Sequence, residues 1–376
     1  MHKYMLRGLL NNRHAALPLL ALLVFIFQFC RDEDSGNPSS PVAIALNTIS
    51  GAGITLDGKC AYFQTEDRTN PGRLYRVQTE TNNLDTYESG GCVFGVPTIT
   101  SGYIVTSSVA HGIKVLDKSN MSLRWERSGF NWVPVVTSDE EKVYVTELDK
   151  IRAFSIVDGT QLWESTIFGK NTFNPVVEDD RLYFATGSIL NKDGYAYCFN
   201  KNNGTLIFQD TLRYVASKNQ FGGSAGGVYV WGEFLFVPSD NWSLYCFDKT
   251  NGSFIWEFTA DAPLQTPPSV SGNKVYFGSL NRTCYAVDIF TGNLVWSYRT
   301  TGSIARVTPS FHNANVLFVS FGALIILNKE EGTLLVEYNS ATSSYSVHSG
   351  IFGNEGQLLF TARENGSNQP VFVIIH

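Results

Sequence analysis

Charged residues are sparse in this chain of 376 residues, 16% of the total, and they leave a net charge of −6. A phosphate backbone demands a clustered basic face. No such cluster occurs beyond the extreme N-terminus, which rules out nucleic acid as a partner. Cysteine is equally thin: Cys30, Cys60, Cys92, Cys198, Cys246 and Cys284 are too widely spaced for a disulfide framework or a metal-binding pair. The histidines are scattered, and no HExxH, GxSxG or Walker loop is present. The glycine-rich GGSAGG at 222–227 precedes a strand pattern, so no helix N-terminus follows it to hold a phosphate. These gaps leave no catalytic residue, metal ligand or cofactor to assign. The longest apolar stretch, AALPLLALLVFIF (15–27), would extend roughly 20 Å as a helix, short of a bilayer's hydrocarbon core.

Apolar residues (43%), aromatics (13%) and glycine (33 residues) are abundant. That is enough material for a sizeable core, and many glycines with few helical patterns predict an all-β protein rich in tight turns. The chain also repeats itself. Residues 285–300 read YAVDIFTGNLVWSYRT, and 245–260 read YCFDKTNGSFIWEFTA. Aligning the polar corner of this phrase gives Gln78, Asp117, Ser155, Asn200, Asp248, Asp288 and Asn328, at intervals of 38 to 48 residues, the period of propeller blades. Each unit, as in 266–300, carries four short strands rich in Val, Tyr, Phe and Trp, the pattern of a four-stranded antiparallel blade.

Within a unit each recurring residue has a physical reason. Gly252 and Gly292 supply the positive φ that a tight hairpin between the third and fourth strands requires. Asp248 and Asp288 accept hydrogen bonds from the turn amides that follow them. Asn82 replaces the glycine after Gln78, and the turn after Asp117 reads as degraded. Trp256 and Trp296, like Trp125 and Trp163, hold the position from which a large flat side chain wedges one blade on the next. Proline recurs at the start of the first strand (Pro97, Pro134, Pro175, Pro268, Pro309), where a missing amide donor is tolerated. Cys198 and Cys246 share a small, buried packing position with Ala286. Residues 345–376 supply an eighth set of inner strands without an outer one, and PVAIALNTIS (41–50) stands free to provide it. The expectation is an eight-bladed β-propeller over residues 42–376 closed by its N-terminal strand, with seven blades as the alternative.

AVDIFTGNLVW (286–296) resembles the repeat of the PQQ-like β-propeller family. The dehydrogenases that share this repeat are longer chains with two adjacent cysteines, and no two cysteines adjoin here. Residues 1–29 resemble a bacterial lipoprotein signal peptide, which implies lipidation of Cys30 and a flexible tether over 30–41. An ordinary secretory signal with a chance cysteine is the alternative. A lipid-tethered propeller of this length is similar to the BamB family of outer-membrane assembly lipoproteins. That resemblance implies a non-catalytic scaffold without cofactors, attached to the membrane through its lipid and bound to envelope proteins such as the barrel-assembly complex. The acidic run Asp32-Glu33-Asp34 resembles a surface-export tag, so the periplasmic face and the cell surface both stay open as locations. On the second, the chain would bind a protein or glycan outside the cell. Partner-binding residues are expected where the repeat is broken on the face of the crossings between blades: Trp132, Trp242 and Arg306.

Overall fold

The computed structural model describes residues 41–46, 53–65, 72–89, 95–108, 112–130, 134–170, 173–187, 193–213, 222–224, 226–304, 307–339, 341, 343–354 and 356–375. All regular structure among them is β: eight separate four-stranded antiparallel sheets. Seven blades are meanders in chain order. Blade 1 runs from Thr55–Asp57 to Leu84–Glu88, blade 2 from Thr98–Ile99 to Leu123–Arg127, and blade 3 from Val135–Ser138 to Gln161–Thr166. Blade 4 runs from Val176–Glu178 to Leu206–Leu212, and blade 5 from Tyr229–Trp231 to Phe254–Thr259. Blade 6 spans Ser269–Ser271 to Leu294–Arg299, and blade 7 Ser310–His312 to Leu334–Asn339. Every recurring proline stands immediately before an inner strand, as its missing donor requires.

Blade 8 joins the two ends of the described chain. Its inner three strands are Tyr345–Phe352, Leu358–Glu364 and Pro370–Ile375, and its outer strand is Val42–Ala45. The register pairs Val42 with Ile374 and Ala45 with Val371. Leu46 is buried beyond it, its amide donating to the Pro370 carbonyl. Phe372 stacks on Phe63 at 4.9 Å, which seals blade 8 against blade 1. The ring therefore has the eight blades and the N-terminal closure expected from the sequence.

The repeat phrase builds the hairpin at each corner. Asp288 Oδ1 accepts from the amides of Phe290 (3.0 Å) and Thr291 (2.9 Å), and the Gly292 amide donates to the Asp288 carbonyl at 2.9 Å with φ +70°. Asp248 and Gly252 repeat the arrangement, with φ +77° at the glycine. The turn after Asp117 is a correction to its degraded appearance. Met121 takes the glycine position at φ 57° and keeps the same amide bond to Asp117, as Asn82 does to Gln78.

Adjacent blades share cores. Tyr276, Cys284, Ala286 and Trp296 of blade 6 pack with Val316, Phe318, Ile325 and Leu327 of blade 7. The indoles add a polar stitch, because each donates its N–H to the carbonyl just after the next corner. Trp125 reaches Ile156 (2.8 Å), and Trp163 reaches Lys201, Trp256 reaches Ile289 and Trp296 reaches Lys329 (each 3.0 Å). Phe208 lacks that donor, and Arg181 with Tyr183 supplies it instead, at 3.2 and 3.1 Å from the Lys249 carbonyl. Blade 1 lacks the bulge that places the wedge residue in blades 2 to 7, so Asp85 pairs with Arg76 there, and Arg76 donates to the Lys118 carbonyl at 2.5 Å. A buried carbonyl left without a donor costs about 1–3 kcal/mol, which explains why the donor changes while the bond persists.

Candidate functional site: the crossing face

A meander places the crossings between blades and the turns between strands two and three on one face, here called the crossing face. The other two sets of turns lie on the opposite turn face. Second strands end at the crossing face in a hydroxyl or its substitute, and this position anchors the crossings. Thr186 Oγ1 donates to the Phe168 carbonyl at 2.8 Å, Ser239 Oγ to Gly223 at 2.7 Å, and Ser279 Oγ to Asp261 Oδ1 at 2.9 Å. In blade 3 the same position is Glu147, buried and ion-paired with Arg152, which also donates through Nε to Glu164 at 2.8 Å.

Two crossings illustrate how close the anchoring is. Asp261, between blades 5 and 6, accepts from Ser279, Asn281 (2.9 Å) and Thr283 (3.1 Å). Burial alone would raise its pKa, but hydrogen bonds from Tyr285 and these side chains outweigh it and hold the carboxyl below the ordinary range. Ile304, between blades 6 and 7, lies so close on Gly278 that a β-carbon there would stand 2.2 Å from Ile304 Cγ2. Near the axis, Asn174 Nδ2 donates to the carbonyls of Val96 (2.9 Å) and Val136 (2.8 Å), tying the entry of blade 4 to blades 2 and 3.

On this frame stand the side chains that are free to meet a partner. Trp242 occupies the strand-two-to-three turn of blade 5 at φ 75°, half-buried, with its carbonyl accepting from Ala260 at 2.7 Å. Arg282 occupies the equivalent turn of blade 6 at φ 65°, exposed, its carbonyl accepting from Thr300 at the same 2.7 Å. Ser239-Asp240-Asn241-Trp242-Ser243 and Ser279-Leu280-Asn281-Arg282-Thr283 are thus one turn written twice. That register was the available pointer to Arg282, which sequence reasoning missed. Beside Trp242, Asp240 is hydrogen-bonded to Gln265 Nε2 at 2.9 Å, and burial raises its pKa. Phe168 and Phe321 are 63% and 74% exposed on the same face. Trp132 and Arg306, the other residues expected here, lie outside the described residues, as do Cys30, the signal segment 1–29 and most of the tether. Among the described residues, no group of three or more His, Cys, Asp or Glu side chains is placed to hold a metal ion, and no helix is long and apolar enough to cross a membrane.

Fold and repeat together define an eight-bladed PQQ-like β-propeller. The same architecture is shared by proteins of different character. BamB from Moraxella catarrhalis superposes with a TM-score of 0.68 at 15% identity over 90% of this chain and 100% of that one. A europium-containing methanol dehydrogenase matches with a TM-score of 0.68 at 10% identity over 85% of this chain and 84% of that one. At those identities the likeness speaks for fold alone. Sequence discriminates further: the family described as "Outer membrane protein assembly factor BamB" matches residues 109–217 and 192–365, and the chain belongs to it. The outer membrane protein assembly factor BamB of Moranella endobia (strain PCIT) is 22% identical over 308 residues, 75% of this chain and 73% of that protein.

Proposed function

We propose that this chain is a lipid-anchored, non-catalytic scaffold of the bacterial cell envelope, docking a protein of outer-membrane barrel assembly on its crossing face. The observation that carries the reading is the pair Trp242 and Arg282, presented from equivalent left-handed turns of neighbouring blades. An aromatic ring and a guanidinium on a preorganised frame are the commonest anchors of protein interfaces. Membership of the BamB family supplies the partner class: envelope proteins, with the barrel-assembly complex as the first candidate. Trp132 and Arg306, which break the repeat at crossings in the sequence, are proposed as further partner contacts. Removal of residues 1–29 and lipidation of Cys30 leave residues 30–41 as the tether to the outer membrane. The function requires no cofactor, metal or nucleic acid.

The test is recovery of the barrel-assembly complex with the tagged chain from a gentle detergent extract. Its absence would contradict the scaffold role, and continued membrane attachment of Cys30→Ser would contradict lipidation. A second reading is favoured by Asp32-Glu33-Asp34: display at the cell surface with a protein or glycan ligand. Protease shaving of intact cells separates the two, because a periplasmic scaffold survives and a surface lipoprotein is cleaved.

A further inference from the structure

Exposed apolar side chains are distributed unevenly between the two faces. Among the described residues, every large apolar side chain that is exposed, except Phe168 and Phe321, lies at the turn-face end of its blade. They sit in the turn-face hairpins or at the first two positions of outer strands. In blades 5 and 6 they gather as Trp231, Phe254, Ile255, Phe290, Leu294 and Val295. Phe290 of blade 6 packs edge-on against Phe234 of blade 5 at 6.0 Å, so the patch runs across the blade boundary. The fold does not ask for these residues. The wedge positions next to them, Trp256 and Trp296, are already buried, whereas Phe254 and Phe290 remain 58% and 61% exposed. Exposed apolar side chains clustered on one face in this way mark an interaction surface.

The course of the chain says what covers it. Val42 pairs with Ile374, one residue before the end of Pro370–Ile375, so the outer strand of blade 8 begins at the turn face. The chain before Val42, which carries Cys30 in its sequence, therefore enters the ring from that side. From Cys30 to Val42 the chain spans at most about 40 Å. A lipid on Cys30 would therefore hold the turn face toward the bilayer. The net charge of −6 gives no attraction to an anionic surface, so attachment is the lipid's and apolar contact seats the face that the lipid brings to the bilayer. We infer that the turn-face rim of blades 5 and 6 rests on the membrane that holds the anchor, with its aromatic and aliphatic side chains at headgroup depth. The crossing face then points away from the bilayer, open to its partner. This inference rests on the lipid anchor proposed above.

The experiment uses the full chain purified with its native anchor and reconstituted into phosphatidylethanolamine vesicles whose acyl chains carry bromine, a contact quencher of tryptophan. The quenched emission is expected to drop roughly twofold or more in Trp231→Phe, as fits a tryptophan at the interface. Phe254→Ser with Phe290→Ser is expected to reduce quenching of Trp231 while the circular dichroism stays that of the wild type. Trp242→Phe, on the opposite face, leaves the quenched emission unchanged. Equal quenching of vesicle-bound wild type and Trp231→Phe overturns the inference, whatever holds the chain to the vesicle. So does a dimer that forms without lipid and is abolished by the rim substitutions, since the rim would then join two copies. Flotation of Cys30→Ser judges the anchor separately, because its persistence refutes lipidation without touching the quenching result.

Discussion

Trp256 lies flat against Gly292 of the following blade: a β-carbon at 292 would stand 2.6 Å from Cε3 of the indole. Trp163 under Gly204 and Trp296 under Gly332 repeat the contact, with the nearest indole atom at 2.5 Å from such a β-carbon in each. The turn glycine therefore answers two demands at once, a left-handed φ and a flat seat for the neighbouring indole. The wedge and the turn are one joint.

This joint gives a matched pair of variants. Gly272 of the same blade also has a positive φ, +61°, but a β-carbon there meets nothing within 4 Å. Gly272→Ala is expected to cost about 1–2 kcal/mol, the backbone term alone. Gly292→Ala adds displacement of a packed indole, for a further 1–3 kcal/mol or so. Urea unfolding at constant slope measures both, and equal losses would show that the indole contact is unimportant.

Ring closure depends on few residues. Leu46 is 1% exposed and sits in the cluster that joins Phe372 and Ile374 to Phe63 of blade 1. Leu46→Ala should cost about 2–5 kcal/mol and free the Pro370–Ile375 edge. Thermal melts with light scattering would show a lower Tm and earlier aggregation. An unchanged melt would mean that the closing strand contributes little.

Acid should weaken the corners. The Asp117 carboxyl is held down to about 2 by hydrogen bonds from Ser119 and Arg124. Asp248 is lowered chiefly by Thr250, and Asp288 is lowered because bonds from Thr291 and neighbouring amides outweigh its desolvation. Groups depressed in the folded state stabilise it above the ordinary carboxylate range and lose that contribution as pH falls from about 4 toward 2. Asparagine already serves at Asn200 and Asn328, accepting from Asn202 at 2.9 Å and Glu330 at 2.8 Å. Replacing the three aspartates by asparagine is thus expected to flatten the fall of Tm over that window. Parallel profiles would refute the assignment.

The inner thiols should be inert. Burial pushes Cys198 up to about 11 and raises Cys246 and Cys284 well above the ordinary thiol value. With Cys30, Cys60 and Cys92 changed to serine, reaction of the native protein with Ellman's reagent near pH 8 should be about a hundredfold slower than in denaturant. Rapid labelling of the native state would contradict the packing role.

The blades were legible because their causes are local. A glycine turn, a corner carboxylate and a wedge residue lie within nine positions, as in Asp288, Gly292 and Trp296. The blade count and the closing strand followed from counting corners and outer strands. The donors that replace a missing indole were not legible, because Arg181 and Arg76 reach carbonyls 68 and 42 residues away. The turn at Met121 looked degraded because glycine is the usual left-handed residue, yet the bond to Asp117 holds a methionine there. On the crossing face, Trp242 was visible as a break in the repeat. Arg282 and Asp261 were hidden, since an arginine in a turn and an acid in a crossing carry no pattern of their own.

The central claim is that the repeated residues build the ring and the crossing face binds. Its most direct measurement is the affinity of the full chain for the purified barrel-assembly complex, for wild type, for Trp242→Ala with Arg282→Ala, and for the exposed turn-face residue Asn203→Ala. The account predicts that the crossing-face pair weakens binding about tenfold or more, while Asn203→Ala binds as the wild type. Wild-type affinity in the crossing-face pair, with binding lost in Asn203→Ala, would contradict it.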